Sequence, residues 1–172
     1  MELREIYFAA GCFWGTERLF QSIDGVVDTR CGYANGRQEF SDLTYERVCQ
    51  GDTLARETVR VRYDPARVTL PQLLKAYFHV IDPTVTDRQG PDTGSQYQTG
   101  IYFTDAASEE TVRAFAAAEA RKYPVFAVEI RSLEKFCPAE EYHQNYLQKN
   151  PGGYCHISPR EFLTIDHLIR EE

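Results

Sequence analysis

The chain has 172 residues, of which 42% are apolar and 26% charged, and its formal net charge is −7. This is the composition of a globular domain with a sizeable core. The negative balance argues against nucleic acid or an anionic membrane surface as partner. No apolar run reaches transmembrane length, and the start MELREIYFAAG lacks the basic segment and long apolar core of a secretory signal, so a cytoplasmic location is expected.

In chain order, EIYFAAG reads as a buried strand ended by a glycine. Thr16, Leu19, Phe20 and Ile23 follow helical spacing, with Gly25 as the stop. VVDTRCGY and ETVRVRYD alternate as strands, the first placing Val27, Cys31 and Tyr33 on one face. TLPQLLKAYFHVID is a helix with Thr69 and Gln72 at capping-box spacing, ending before Pro83. Residues 83–98 form a long polar loop, a length that points to function or disorder. GIYFTD is a strand, 105–121 a helix, VFAVEIRSL a strand and PAEEYHQNYLQ a short helix. A glycine-bearing coil over 149–158 leads to a terminal helix, 159–170, with Ser158 and Glu161 as its capping box. Strands alternating with helices, some joined by hairpin-like steps, predict an α+β fold: one domain over 1–172, a sandwich with a mixed sheet.

Five cysteines, Cys12, Cys31, Cys49, Cys137 and Cys155, are widely spaced with no C-x-x-C. Neither a disulfide framework nor a metal site is indicated. Cys12 stands at a strand-to-helix turn between glycines, where a helix N-terminus lowers a thiol's pKa and nucleophiles are displayed. The alternative is an inert buried cysteine. Cys31 reads as core, Cys49 as the start of a turn, and Cys137 as a thiol held at a helix start before Pro138. Cys155 follows Gly152 and Gly153 in the coil, a mobile setting that suits a resolving thiol.

Glu57 shares its strand face with Val59, Val61 and Tyr63, so it points coreward, where burial raises a carboxyl's pKa and lets it donate a proton. The competing reading turns it to solvent or pairs it with an arginine. Tyr33 on the inward face and Tyr97 in the long loop are candidates to hydrogen-bond a ligand oxygen, against simple packing roles. Asp92 in GPDTG is otherwise a turn residue.

The ordered set GCFWG, GYANG, YERVC-G-T, YDP, DPT, QG-D-GSQY, PAEEYHQNYL and KNPGGYC resembles the motifs of the A-type family of peptide methionine-(S)-sulfoxide reductases, from about residue 5 to 157. The resemblance implies a two-layer α/β sandwich with a ferredoxin-like core. It implies reduction of methionine-(S)-sulfoxide, free or protein-bound, by a monomer that needs no cofactor and is recycled by thioredoxin. It makes Cys12 the nucleophile, Glu57 the proton donor, and Tyr33 and Tyr97 the hydroxyls on the sulfoxide oxygen. Asp92 becomes a loop acid near the substrate, Phe13 and Trp14 the wall around its methyl group, and Cys155 the recycling thiol. This chain departs from the family in reading Leu54-Ala55-Arg56 before the glutamate where Gly-His-Ala is common, Gln98-Thr99 after the loop tyrosine, and Cys137 where a tyrosine is usual. No second cysteine follows Cys155, and the helix from 159 to 170 lies beyond the matched motifs.

Two other classes compete. A papain-type hydrolase would use Cys12 with His143 and Asn145, at suitable separation. It leaves Glu57 and Cys155 without roles. A binding module would hold methionine or its sulfoxide in the aromatic pocket without turnover.

Overall fold

The computed structural model describes residues 2–40 and 42–171. Its elements are β1 (Arg4–Ala9), α1 (Phe13–Gln21), β2 (Val26–Ala34), α2 (Tyr45–Cys49), β3 (Arg56–Tyr63), α3 (Leu70–Val80), β4 (Arg88–Gln89), β5 (Asp92–Thr93), β6 (Gly100–Phe103), α4 (Ala106–Ala120), β7 (Glu129–Ser132), β8 (Phe136–Pro138), α5 (Tyr146–Lys149) and α6 (Pro159–Arg170). Six strands form a mixed sheet in the order β7–β6–β1–β3–β2–β8, antiparallel at every step except β6–β7. The strands β4 and β5 pair as a small separate hairpin inside the loop expected over 83–98.

Alternation along the strands sorts the two faces. Ile6, Phe8, Val59, Val61, Ile101 and Phe103 join one core with buried residues of α1, α3, α4 and α6. At its centre Phe8 stacks on Phe20 of α1 at 4.6 Å and on Tyr77 of α3 at 5.1 Å. The opposite face is a small patch, Tyr7, Ala9, Ala34 and Tyr102, covered by Leu133 and Phe136. Helices over one face of a mixed sheet are the α+β arrangement that the strand–helix order predicted. No helix among the described residues is long and apolar enough to cross a membrane.

The topology decides where a site can form. Strand β1 ends at Ala9, opposite Gly100 at the start of β6, and Phe8 lies opposite Val59 of β3. Tyr33, near the end of β2, pairs with Glu57 near the start of β3. Ends of β1 and β2 and starts of β3 and β6 therefore meet at one edge. The segments carrying Cys12, Tyr45 and Tyr97 leave or enter the sheet there.

Several local expectations are corrected. Val27 is exposed, not coreward with Cys31 and Tyr33, because a bulge between Val26 and Asp28 resets the alternation. Strand β7 starts only at Glu129, four residues into the apolar run from Val125. Cys137 lies in a strand, paired with Tyr33, and not at a helix start. The short helix expected from Pro138 is a 3-10 turn, Glu141–His143, followed by α5. The YERVC segment is a helix, α2, where only a turn was expected around Cys49. The α3 capping box is present as read, with Thr69 Oγ1 accepting from the Gln72 N–H and Gln72 Oε1 from the Thr69 N–H. The α6 box is not: Ser158 makes no side-chain cap bond, and the Glu161 carboxylate pairs with His79 of α3 at 2.7 Å.

Helix α6 is anchored against α1 and α3 through Ile165 and Ile169, both buried, and through Asp166, which accepts the Asp24 N–H at 2.9 Å. Ile165→Ala should cost about 2–5 kcal/mol, the usual price of truncating a fully buried aliphatic side chain. Urea unfolding measures it. A change near zero would mean that α6 rests on the domain without sharing its core.

Candidate active site

Gly11 turns the chain between β1 and α1 with φ +87, a conformation that suits glycine, so Cys12 becomes the N-cap of α1. The Cys12 thiol is 7% exposed. Glu57 is 1% exposed, as its place in the strand alternation predicted. Its Oε1 accepts the Phe13 N–H at 3.2 Å, and its Oε2 is buried without a partner. The carboxyl and the thiol thus share the first turn of one helix.

Burial pushes the Glu57 carboxyl up to about 8, against the pull of the Phe13 N–H and with a further push from Asp92. The expected lowering of the Cys12 pKa is overturned. Burial first, then the Glu57 carboxylate, drive the thiol well above its ordinary range, and the Trp14 N–H at the helix start only partly opposes them. The helix-start effect is real but smaller than desolvation in so closed a position.

Leu54, Ala55 and Arg56 leave this pair undisturbed. The Arg56 side chain points away from Glu57, bonding Glu129 Oε1 at 3.0 Å and the Ser95 carbonyl at 2.7 Å. Leu54 adopts φ +58, a left-handed conformation that glycine adopts without strain and a leucine does not.

The aromatic residues sort into two groups. Phe13 is buried, 5.7 Å from the Tyr33 ring and 5.1 Å from His143. Trp14 is half-buried, stacked on Tyr146 at 3.7 Å, and its indole N–H donates to His143 Nδ1 at 3.0 Å. Tyr33 is fully buried, and its hydroxyl donates to Glu140 Oε1 at 2.8 Å. That bond takes the hydroxyl that the sequence assigned to a ligand oxygen. The other Glu140 oxygen accepts the Tyr45 N–H at 3.0 Å, fixing the start of α2. The Tyr45 and Tyr97 hydroxyls lie near each other and near Glu57, and burial raises both well above the ordinary phenol value, so both remain donors. Tyr45 is present in the YERVC motif but is not singled out there; the sequence reading favours Tyr33, the tyrosine on the inward face of its strand.

Asp92, in the β4–β5 hairpin, accepts the Tyr154 hydroxyl at 2.8 Å. Cys155 follows Tyr154 and is half-buried, its sulfur 2.8 Å from where a Cβ on Gly15 would stand. The coil expected to be mobile is therefore tethered on both sides of Cys155, since His156 Nε2 lies 2.9 Å from the Ala10 carbonyl. Neither Gly152 nor Gly153 adopts positive φ, and a Cβ on Gly153 would meet the Tyr146 ring at 2.8 Å. Its glycine serves close packing.

No hydrolase row forms from Cys12, His143 and Asn145. The His143 Nδ1 is occupied by Trp14, and Asn145, at φ +54, turns its side-chain oxygen to Gln21 at 2.7 Å. Its N–H is held by buried Glu17 at 2.7 Å. Among the described residues no cluster of three or more His, Cys, Asp or Glu could hold a metal ion.

Residues 4–168 match the family model described as peptide methionine sulfoxide reductase. A "Peptide methionine sulfoxide reductase MsrA" of Lachnoclostridium phytofermentans is 49% identical over 92% of this chain and 95% of its own length. One from Clostridium acetobutylicum is 48% identical over 94% and 98%. The crystal structure of Mxr1 from Saccharomyces cerevisiae in reduced form superposes with a TM-score of 0.85 at 38% identity, covering 90% of this chain and 89% of that one.

The raised Glu57 carboxyl makes a stability prediction. Between its ordinary value of 4.5 and about 8, the folded state keeps a proton that the unfolded state has lost. Stability is then greatest below the ordinary value and falls as pH rises through this window. At about 1.4 kcal/mol per unit, the loss amounts to roughly 5 kcal/mol at most. Glu57→Gln should remove this component of the slope in urea unfolding between pH 5 and 9. Identical slopes for the two proteins would show that Glu57 ionises in the fold as freely as outside it.

Proposed function

Because the chain belongs to the A-type peptide methionine sulfoxide reductases, oxidoreductases acting on sulfur, we propose that it reduces methionine-(S)-sulfoxide through Cys12, with Glu57 as proton donor. The observation that carries this reading is the shared helix start. A soft nucleophile and a carboxyl group that is largely protonated at pH 7 are tied together through the Phe13 N–H.

The chemistry needs both partners. The sulfoxide oxygen leaves poorly unless protonated, and a neutral carboxylic acid supplies that proton. Protonated Glu57 also removes the charge that disfavours the Cys12 thiolate, so one proton state serves both steps. Cys12 attacks the sulfoxide sulfur while Glu57 protonates the oxygen. Tyr45 and Tyr97 hold that oxygen by donation without adding a charge. Tyr33 supports the site from beneath Phe13 through its ring. Phe13 and Trp14 receive the methyl group, where sulfur–aromatic contact is favourable. Methyl on one side and oxygen on the other select one sulfur epimer. Asp92 is close enough to act on both Glu57 and Cys12 and is joined to the C-terminal coil through Tyr154.

Methionine leaves, and Cys12 remains as a sulfenic acid. Cys155 condenses with it to a disulfide, releasing water. A dithiol protein of the thioredoxin type then reduces the disulfide. Support for that partner comes from Mxr1, which has been solved in complex with Trx2.

Single-turnover assays with racemic methionine sulfoxide test the assignment. Cys12→Ser should release no methionine, and Glu57→Gln should slow release by roughly 10²–10⁴-fold, the usual scale of general-acid catalysis. Conversion by the wild type should stop near half, when the S epimer is exhausted. Release at the wild-type rate by Glu57→Gln would remove Glu57 from the chemical step.

Peptide mapping after one equivalent of substrate, without reductant, should find a Cys12–Cys155 bridge. Cys155→Ser should release one methionine and then stall with thioredoxin. A Cys12–Cys137 bridge, with normal turnover by Cys155→Ser, would transfer the resolving role to Cys137.

A further inference from the structure

His156 has no part in the chemistry above, yet its ring lies against both glycines that flank Cys12. A Cβ on Gly11 would stand 3.3 Å from His156 Nε2, and one on Gly15 would stand 3.3 Å from His156 Nδ1. The ring occupies a slot that any larger residue at either position would narrow. Nε2 faces the Ala10 carbonyl at 2.9 Å. A carbonyl oxygen only accepts, so Nε2 carries the hydrogen, and in the neutral ring Nδ1 is a bare lone pair. That Nδ1 is buried and has no hydrogen-bond partner. The Cys155 sulfur lies 2.8 Å from the same point above Gly15, so the thiol, whose hydrogen goes to the Ile157 carbonyl at 3.1 Å in the resting state, and the unpartnered nitrogen meet on one face of α1.

We propose that His156 is the general base of the resolving step, its Nδ1 taking the proton of Cys155 as that thiol attacks the Cys12 sulfenic acid. The proposal rests on Cys155 being the resolving thiol. The Cys155 S–H bond breaks toward His156, the Cys155–Cys12 S–S bond forms, and the Cys12 S–O bond breaks. The departing hydroxide takes the proton back from the imidazolium and leaves as water. The thiol sulfur is oxidised and the sulfenic sulfur reduced in the same event, so no outside oxidant enters.

The surroundings supply both the need and the means. Burial raises the Cys155 thiol above its ordinary value, so little thiolate exists at neutral pH without a base. Burial lowers the His156 ring, keeping it neutral and able to accept, while Asp92 from the hairpin pulls modestly the other way. The other groups nearby are Cys12 at the start of α1, the Tyr154 hydroxyl held by Asp92, the neutral Gln89 of β4, and Arg18, which borders the cavity beside Cys155. Arg18 is itself engaged, donating to Ser22 Oγ and lying over the Phe162 ring.

His156→Gln separates a base from a mere latch. Glutamine still offers a side-chain N–H to the Ala10 carbonyl but has no basic nitrogen. After one equivalent of substrate, without reductant, disulfide formation is followed by loss of sulfenic acid to a dimedone probe. Wild type should be independent of pH above neutrality and slow as the ring protonates below 6.5. His156→Gln should be at least 10-fold slower at pH 7, with a rate rising about tenfold per pH unit as hydroxide takes over. Its single-turnover methionine release should match wild type. Disulfide formation by His156→Gln with the wild-type rate and pH profile would overturn the proposal, as would a parallel loss of methionine release. If His156→Gln does not fold, the wild-type profile decides alone, since a rate climbing with thiol ionisation to pH 9 excludes a histidine base. Peptide mapping of wild type distinguishes the remaining failure: a bridge lacking Cys155 would overturn the Cys155 assignment itself.

Discussion

The Phe13 N–H bond to Glu57 is the constraint on which the site depends. One carboxylate oxygen is held at the start of α1 and the other has no partner, so the group is buried with only half its hydrogen-bonding capacity met. A carboxylate in that position is costly and a carboxylic acid is much less so. The fold therefore stores a proton at a fixed place beside the Cys12 thiol. The same burial that raises the Glu57 carboxyl holds back the thiol's ionisation, and the Glu57 carboxylate adds to that effect on the thiol. Helix-start electrostatics alone would have predicted a thiolate at rest, whereas burial beside Glu57 keeps the thiol protonated.

The sheet makes this geometry reproducible. Glu57 and Tyr33 are direct cross-strand partners, and Cys137 lies opposite Tyr33 on the other side. Three neighbouring strands thus line up a thiol, a phenol and a carboxyl at one edge. The Tyr33 hydroxyl is then tied to Glu140, which also accepts the Tyr45 N–H, so a single carboxylate connects β2, the start of α2 and the segment after β8. Glu140 stays below its ordinary carboxyl value because these donors, with the His143 ring, outweigh its partial burial. One acid is kept charged by the donors around it, and the other is kept largely protonated by burial. Environment alone separates their roles.

The strongest periodic signals were readable from residues alone. Alternation with Val59 and Val61 pointed Glu57 coreward, against an open solvent-facing reading, and α3 was marked by its capping box and proline. What was lost depended on contacts distant in sequence. A bulge near Val27 reverses which face a residue occupies, and nothing local in VVDTRCGY marks it. Ser158 and Glu161 have capping-box spacing, yet His79, 82 residues earlier, takes the glutamate. The Tyr33 hydroxyl is captured by Glu140, a bond across 107 residues that no local pattern marks. Glycine was legible as punctuation, but its use as space at Gly15 and Gly153 requires knowing what packs against it.

The C-terminal coil takes its order from elements outside itself. Pro151, Gly152 and Gly153 read as a flexible run, but Tyr154 is held by Asp92 and His156 by Ala10, leaving Cys155 as the residue between two tethers. Beyond it, Ile157 is buried, and α6 ties the chain to α1 and α3. A thiol on a free tail would lose conformational entropy each time it approached Cys12. One held over Gly15 has already met most of that cost during folding, and it lies against the helix turn that carries Cys12. The glycines around Cys12 thereby connect to the end of the chain: Gly11 bends the backbone at Cys12 and leaves room for His156, and Gly15 leaves room for His156 and Cys155.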